Sequence, residues 1–184
     1  MAKLEILIAP DPRLKQKAEP IGDITDDIKQ TLDDMLETMY AAPGVGLAAT
    51  QVGIAGRMIV IDVANTKEGE APAPYKLINP EVIENSDEQS VYEEGCLSLP
   101  DFYEEVERPA TCTVKALDEN GKEIVIKAEG LLATCLQHEI DHLDGVIFVD
   151  HVSRLKRTRI LKKLEKLKKL GAVFHKNLKE QHEL

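Results

Sequence analysis

The chain has 184 residues, of which 43% are hydrophobic and 30% charged, with a formal net charge of −10 and three cysteines. That length supports one domain with a sizeable core, and no apolar run approaches the length of a membrane span. The acidity argues against a body that binds nucleic acid by bulk charge, and the short apolar run before Pro10 argues against a signal peptide, so the expected address is the cytosol. Cys96, Cys112 and Cys135 are odd in number and widely spaced. They do not form a disulfide framework on that pattern, and at least one thiol is left free to act as a ligand.

Apolar residues at Ile28, Leu32, Met35, Leu36 and Met39 predict a helix over about 26–40, capped by Thr25 or Asp26. Pro43-Gly44-Val45-Gly46 ends it, in a loop that turns tightly or lets a ligand approach the backbone. Met58 to Val63 is β-branched and reads as a buried strand. Residues 66–74 carry Pro72 and Pro74 and read as a surface loop, an insertion beside any cleft. Tyr75 to Ile83 is a weaker strand, interrupted by Pro80. Strand-like Ser90-Val-Tyr-Glu leads into Glu94-Gly95-Cys96-Leu97-Ser98-Leu99-Pro100, a cysteine in a glycine-preceded turn.

Residues 111–117 alternate in polarity and 123–128 are strand-like, with Asn120-Gly121 between them, a strong hairpin signal. Cys112 falls on the apolar face there and reads as a packed core thiol. Leu131, Leu132, Cys135, Leu136 and Leu143 predict a largely buried helix over 130–143, ended by Gly145. Ser153 caps a last helix over 154–170, with Leu155, Leu161, Leu164 and Leu167 as its apolar stripe. Nine Lys or Arg and one acid lie between Arg154 and Lys169, so that segment is near +8 and the remainder near −18. Such a helix is either a solvated face or a contact for something polyanionic. The tail 171–184 shows no clear periodicity and is expected to fray.

His138-Glu139-Ile140-Asp141-His142 lies in the buried helix. Positions four apart share a helix face with Cβ atoms roughly 5–6 Å apart, so two imidazoles can reach one metal ion and Glu139 can work on a water beside it. The plainer alternative is a charged helix whose histidines face solvent. A buried position weighs against it, because imidazoles and a carboxylate there are costly unless a metal or hydrogen bonds satisfy them.

Gly44-Val-Gly-Leu-Ala-Ala-Thr-Gln51, Glu94-Gly-Cys-Leu-Ser-Leu-Pro100 and Gln137-His-Glu-Ile-Asp-His-Leu143 stand in this order. Together they closely resemble the three signature motifs of peptide deformylases, in the bacterial form with a helical C-terminus. The resemblance implies an α+β fold in which short antiparallel sheets surround the metal-bearing helix, between an N-terminal and a long C-terminal helix. It implies a metallohydrolase that removes the formyl group from the initiator formylmethionine of nascent polypeptides and releases formate. By motif position it assigns Cys96, His138 and His142 as metal ligands with water in the fourth place, an open, catalytic arrangement. Glu139 becomes the general acid–base, and the Gln51 amide and Leu97 N–H become donors to the oxyanion.

The same resemblance makes Gly46 a main-chain partner of the peptide and Val45, Leu131 and Cys135 walls of the methionine pocket. It makes Glu94 and Arg108 a pair bracing the cysteine loop. The implied native ion is Fe2+, with Zn2+, Ni2+ or Co2+ in purified samples. The implied partners are N-formylmethionyl nascent peptides and, through the basic helix, the ribosome near its exit tunnel, with the enzyme a monomer. Asp101-Phe102-Tyr103 departs from familiar members and leaves preferences beyond methionine open. The competing readings are a zinc peptidase and a non-catalytic binding module. An upstream cysteine ligand disfavours the first, and the presence of Glu139, Gln51 and Cys96 together disfavours the second.

Overall fold

The computed structural model describes residues 2–66 and 68–170. Helix α1 (Asp26–Ala41) begins where Thr25 Oγ accepts the Ile28 N–H at 3.3 Å. Such a cap satisfies one of the free donors of the first turn. The helix buries Leu32, Met35, Thr38 and Met39, close to the predicted stripe.

Seven strands follow in two sheets. Strands β1 (Gly46–Ala48), β2 (Met58–Ile61), β3 (Tyr75–Asn85), β6 (Thr111–Leu117) and β7 (Glu123–Glu129) form an antiparallel sheet in the order β1-β2-β3-β6-β7. Strands β4 (Gln89–Cys96) and β5 (Leu99–Pro109) pair with each other. Strand β2 is buried on both faces. Ile59 and Ile61 pack with Ala133, Leu136 and Ile140, while Met58 and Val60 pack with Leu32, Met35 and Met39. The sheet is therefore held between α1 and helix α2 (Gly130–Leu143). Each fully buried side chain of this size contributes roughly 1.5–3 kcal/mol.

Three strands differ from the sequence expectation. Strand β2 stops at Ile61 rather than Val63, because the buried Asp62 carboxylate takes the N–H groups of Ala64 and Ala73 and curls the chain into a 3₁₀ turn. Strand β3 continues through Pro80. The pairing slips between Ile78 and Glu81, which accommodates the missing proline donor, and Asn79 there takes a positive φ of 51°. The Asn79 side chain clamps the Ile21 backbone in both directions.

The third difference is strand β5, eleven residues long, in a stretch for which the sequence predicts no strand. Its inward positions include Glu104 and Arg108 beside Phe102 and Val106, so charge masks the period-two pattern.

Helix α2 ends at Gly145, whose φ is 76° and where a Cβ would lie 2.3 Å from the Lys15 carbonyl oxygen. No other residue fits that position without displacing backbone. Helix α3 (Arg154–Lys169) starts at Ser153, whose hydroxyl accepts the Lys156 N–H. Its stripe is corrected: Leu155 is 80% exposed, and Ile160 and Leu164 are the buried residues. They join Leu14, Leu99, Val106 and Phe148 in a cluster that ties α3 to the N-terminal segment and β5. The expected fraying of 171–184 falls outside the described residues.

Candidate metal centre

Helix α2 is apolar over most of its surface, so its polar residues are buried with it. His138 is 7% exposed and His142 is 0% exposed, which excludes histidines facing solvent. One turn apart, their Nε2 atoms lie 3.2 Å from each other. Cys96 stands at the end of β4, where the pairing with β5 slips after Gly95, and its Sγ is 3.3 Å from His142 Nε2. The three candidate ligand atoms all lie within 4.8 Å of one another.

Burial and hydrogen bonding act on the two imidazoles in opposite directions. Burial opposes charge on His138, yet hydrogen bonds to Cys96 and Glu94 hold its pKa well above the usual imidazole range. Burial, followed by the His138 charge, holds His142 well below that range. Independently of those shifts, a cysteine sulfur and two imidazoles converging in a buried space form a donor set suited to a divalent ion.

The flanking residues fix the geometry. Glu94 Oε1 lies 2.9 Å from His138 Nδ1, which leaves Nε2 to face the other ligands. Arg108 donates to both Glu94 oxygens, at 2.7 and 3.0 Å, and the two side chains are only 7% and 4% exposed. Burial alone would raise the Glu94 pKa, but His138 and Arg108 together keep it below the ordinary value. The Gln51 amide is oriented by the Ala48 N–H, which donates to Oε1 at 2.9 Å. Its Nε2 donates to Ser98 Oγ at 3.1 Å and lies 3.4 Å from Cys96 Sγ.

Glu139 is 5% exposed, with Oε1 at 3.8 Å from His138 Nε2 and Oε2 buried without a hydrogen-bond partner among the described residues. Burial pushes its pKa up to about 7, against the pull of the His138 charge. A carboxylate poised there can take and return a proton near neutral pH. Gly46 packs directly on it: a Cβ at that position would sit 2.7 Å from Glu139 Oε1.

A cleft of about 330 Å³ opens over these groups. Val45, Gly46, Leu131 and Cys135 line it, together with Leu97 and Glu139. Burial pushes the Cys135 thiol up to about 12, so it stays neutral and walls the cleft rather than ligating. Cys112 packs in the core against α2. All three cysteines are free. Residues 68–74 are exposed, and none of them lines the cleft. Among the described residues β1 pairs only with β2 and β4 only with β5, and residues of both strands line the cleft.

Four residues near the site were not singled out from the sequence. Ser98 is fully buried and receives the Gln51 amide. Asp141 accepts from Arg108 at 2.8 Å and lies 2.8 Å from His151 Nε2. Phe148 stacks on His138, with ring centroids 6.2 Å apart. Only Asp141 carried a local signal, as an acid in a helix expected to be buried.

The sequence profile described as polypeptide deformylase matches residues 3–158. The chain belongs to this family. Peptide deformylase of Rhizobium meliloti (strain 1021) is 57% identical over 164 residues, covering 89% of this chain and 93% of that protein. Among solved structures, a peptide deformylase from Legionella pneumophila aligns with a TM-score of 0.85 at 45% identity, over 94% of this chain and 99% of that one. The Ehrlichia chaffeensis enzyme in complex with actinonin aligns at 0.85 with 43% identity, over 90% and 98%. The α+β fold with antiparallel sheets matches these structures. The family consists of metal-dependent hydrolases that remove the N-formyl group from nascent peptides, and the Cys96, His138 and His142 cluster is consistent with that chemistry.

Proposed function

We propose that Cys96, His138 and His142 hold the family's divalent ion and that the cleft takes the formylmethionine end of a nascent chain. A bound ion supplies Lewis acidity, lowering the pKa of a water so that hydroxide is available near pH 7. The residues of this chain do the rest. Glu139 accepts the proton of the attacking water and returns it to the departing amine, a role that suits a buried carboxylate with a pKa of about 7. Gln51 Nε2, aimed at the cysteine by its Oε1 anchor, and the Leu97 N–H donate to the oxygen that gains charge as the formyl carbon becomes tetrahedral. Each such donor is worth about 2.7–4 kcal/mol of barrier lowering.

The peptide main chain adds to the free edge of β1 at Gly46. The methionine side chain enters between Val45, Leu131 and Cys135. Glu94 and Arg108 brace the cysteine loop and His138 from behind.

Iron(II) is the proposed native ion, and the mixed thiolate and imidazole set also accepts Zn2+, Ni2+ or Co2+. Helix α3, with nine Lys or Arg, is the proposed contact to ribosomal RNA near the exit tunnel. No helix among the described residues is long and apolar enough to cross a membrane. A cytoplasmic location goes with nascent chains as substrate.

The observation that carries the reading is the convergence of a strand-borne thiol with two helix-borne imidazoles beside a buried, half-unpartnered Glu139. The test is anaerobic purification with metal analysis, followed by assay of formyl-Met-Ala-Ser against acetyl-Met-Ala-Ser. Turnover of the formyl peptide alone is expected. Equal hydrolysis of both, or cleavage of internal peptide bonds, would return the chain to the peptidase reading.

A further inference from the structure

One short segment outside the three motifs reaches the imidazole of His138 twice, directly by ring stacking from its first residue and indirectly from its last through Asp141, Arg108 and Glu94. The 3₁₀ turn Phe148–His151 follows α2 and precedes α3. Its first residue, Phe148, is 1% exposed and stacks on His138 at an interplanar angle of 23°. Its last residue, His151, places Nε2 2.8 Å from Asp141 Oδ2, and Arg108 Nη1 donates to that same oxygen at 2.8 Å. Arg108 then grips both oxygens of Glu94, which contacts His138 Nδ1 at 2.9 Å.

The turn is itself pinned. Asp150 accepts from Ile147 N–H, Lys15 Nζ and Arg157 Nε at 2.7–2.9 Å. A groove of about 1070 Å³ on the other face of α2 is lined by Arg108, Asp141 and His151, so the outer end of the chain of contacts is open to solvent while its inner end is buried.

We propose that the turn Phe148–His151 is a positioning element for the ligand His138, with His151 as its outer anchor. This rests on the reading of His138 as a metal ligand. His151 touches neither substrate nor metal. By sharing Asp141 with Arg108 it stops the guanidinium from rotating off Glu94, and Glu94 sets the tautomer and the direction of the His138 ring. Partners one step beyond a ligand change metal affinity by about 10–100-fold when lost. His151 lies further out, so an effect of about five- to tenfold is expected from the same mechanism.

The experiment compares the full-length chain with His151→Ala and His151→Gln, each loaded with Co2+. A glutamine amide can still donate to Asp141. Release of Co2+ into excess EDTA is followed by loss of the thiolate-to-cobalt absorption, and kcat and KM are measured on formyl-Met-Ala-Ser. His151→Ala should release Co2+ about five- to tenfold faster, with kcat lowered and KM within about twofold of the parent. His151→Gln should match the parent in both assays. The proposal is overturned if the alanine variant releases Co2+ at the parental rate. It is also overturned if both variants speed release equally, since ring bulk rather than the hydrogen bond would then be responsible. Cobalt release reads the brace without turnover, so a parent that fails to deformylate would count against the function and leave this result standing.

Discussion

At the scale of single residues, the site separates groups that do chemistry from groups that hold them. Glu139 has a raised pKa because it is buried, and one of its oxygens is left unpartnered. Glu139→Gln keeps the volume and removes the proton acceptor. It should lower kcat by about 10²–10⁴ while KM and bound metal stay unchanged, as steady-state kinetics with metal analysis would register. Arg108 works differently. Arg108→Ala leaves Glu94, with a side chain only 4% exposed, without its main counter-charge. Removing one partner of a buried pair costs about 3–5 kcal/mol, which urea unfolding would measure. The exposed Lys169–Glu165 pair, with side chains 78% and 56% exposed, is the control: Lys169→Ala should leave the unfolding midpoint unchanged.

At the scale of elements, α3 is the informative case. A basic helix with scattered leucines admits two registers against its support, and the packing selects Ile160 and Leu164 over Leu155. Leu164→Ala should therefore cost about 2–5 kcal/mol, while Leu155→Ala should stay within about 0.5 kcal/mol, both read by urea unfolding. Equal losses would mean that the helix seats on the leucine stripe that the periodicity suggests. Strand β5 makes the converse point. Its alternation is masked because Arg108 and Glu104 occupy inward positions, and Arg108 is tolerated there because Glu94 and Asp141 meet it.

At the scale of the whole molecule, burial and pairing set a pH window. Glu94, Asp141 and Asp150 are each buried to a degree that would raise their pKa values, yet hydrogen bonds from His138, His151, Lys15 and neighbouring arginines hold all three below the ordinary carboxylate range. At pH 6, well above the unfolded-chain values of about 3.9 for Asp and 4.3 for Glu, these groups are ionised in the folded and unfolded chain alike, and their stabilisation is fully present. As the pH falls further, the unfolded chain takes up protons first, so that stability is lost through the folded-state values. Urea midpoints at pH 6, 4.5 and 3.5 should fall between the last two and change less between the first two. A midpoint unchanged at pH 3.5 would contradict this assignment.

What the sequence by itself determined was whatever depends on near neighbours along the chain. The spacing of His138 and His142 on one helix face, the cap at Thr25, the Asn120-Gly121 turn and the three motifs that carry the family are all of this kind. The tertiary structure alone decided how far apart in sequence the partners could be. The motifs named Cys96 as a partner of the two histidines and paired Glu94 with Arg108, but the tertiary structure set their geometry, chose Ile160 over Leu155, and extended the line of hydrogen bonds from Arg108 through Asp141 to His151. The physical reason is the same in each case. A helix or turn advertises itself through local periodicity, whereas a buried charge is tolerated only where packing delivers its partner, and that partner leaves no mark at a fixed spacing.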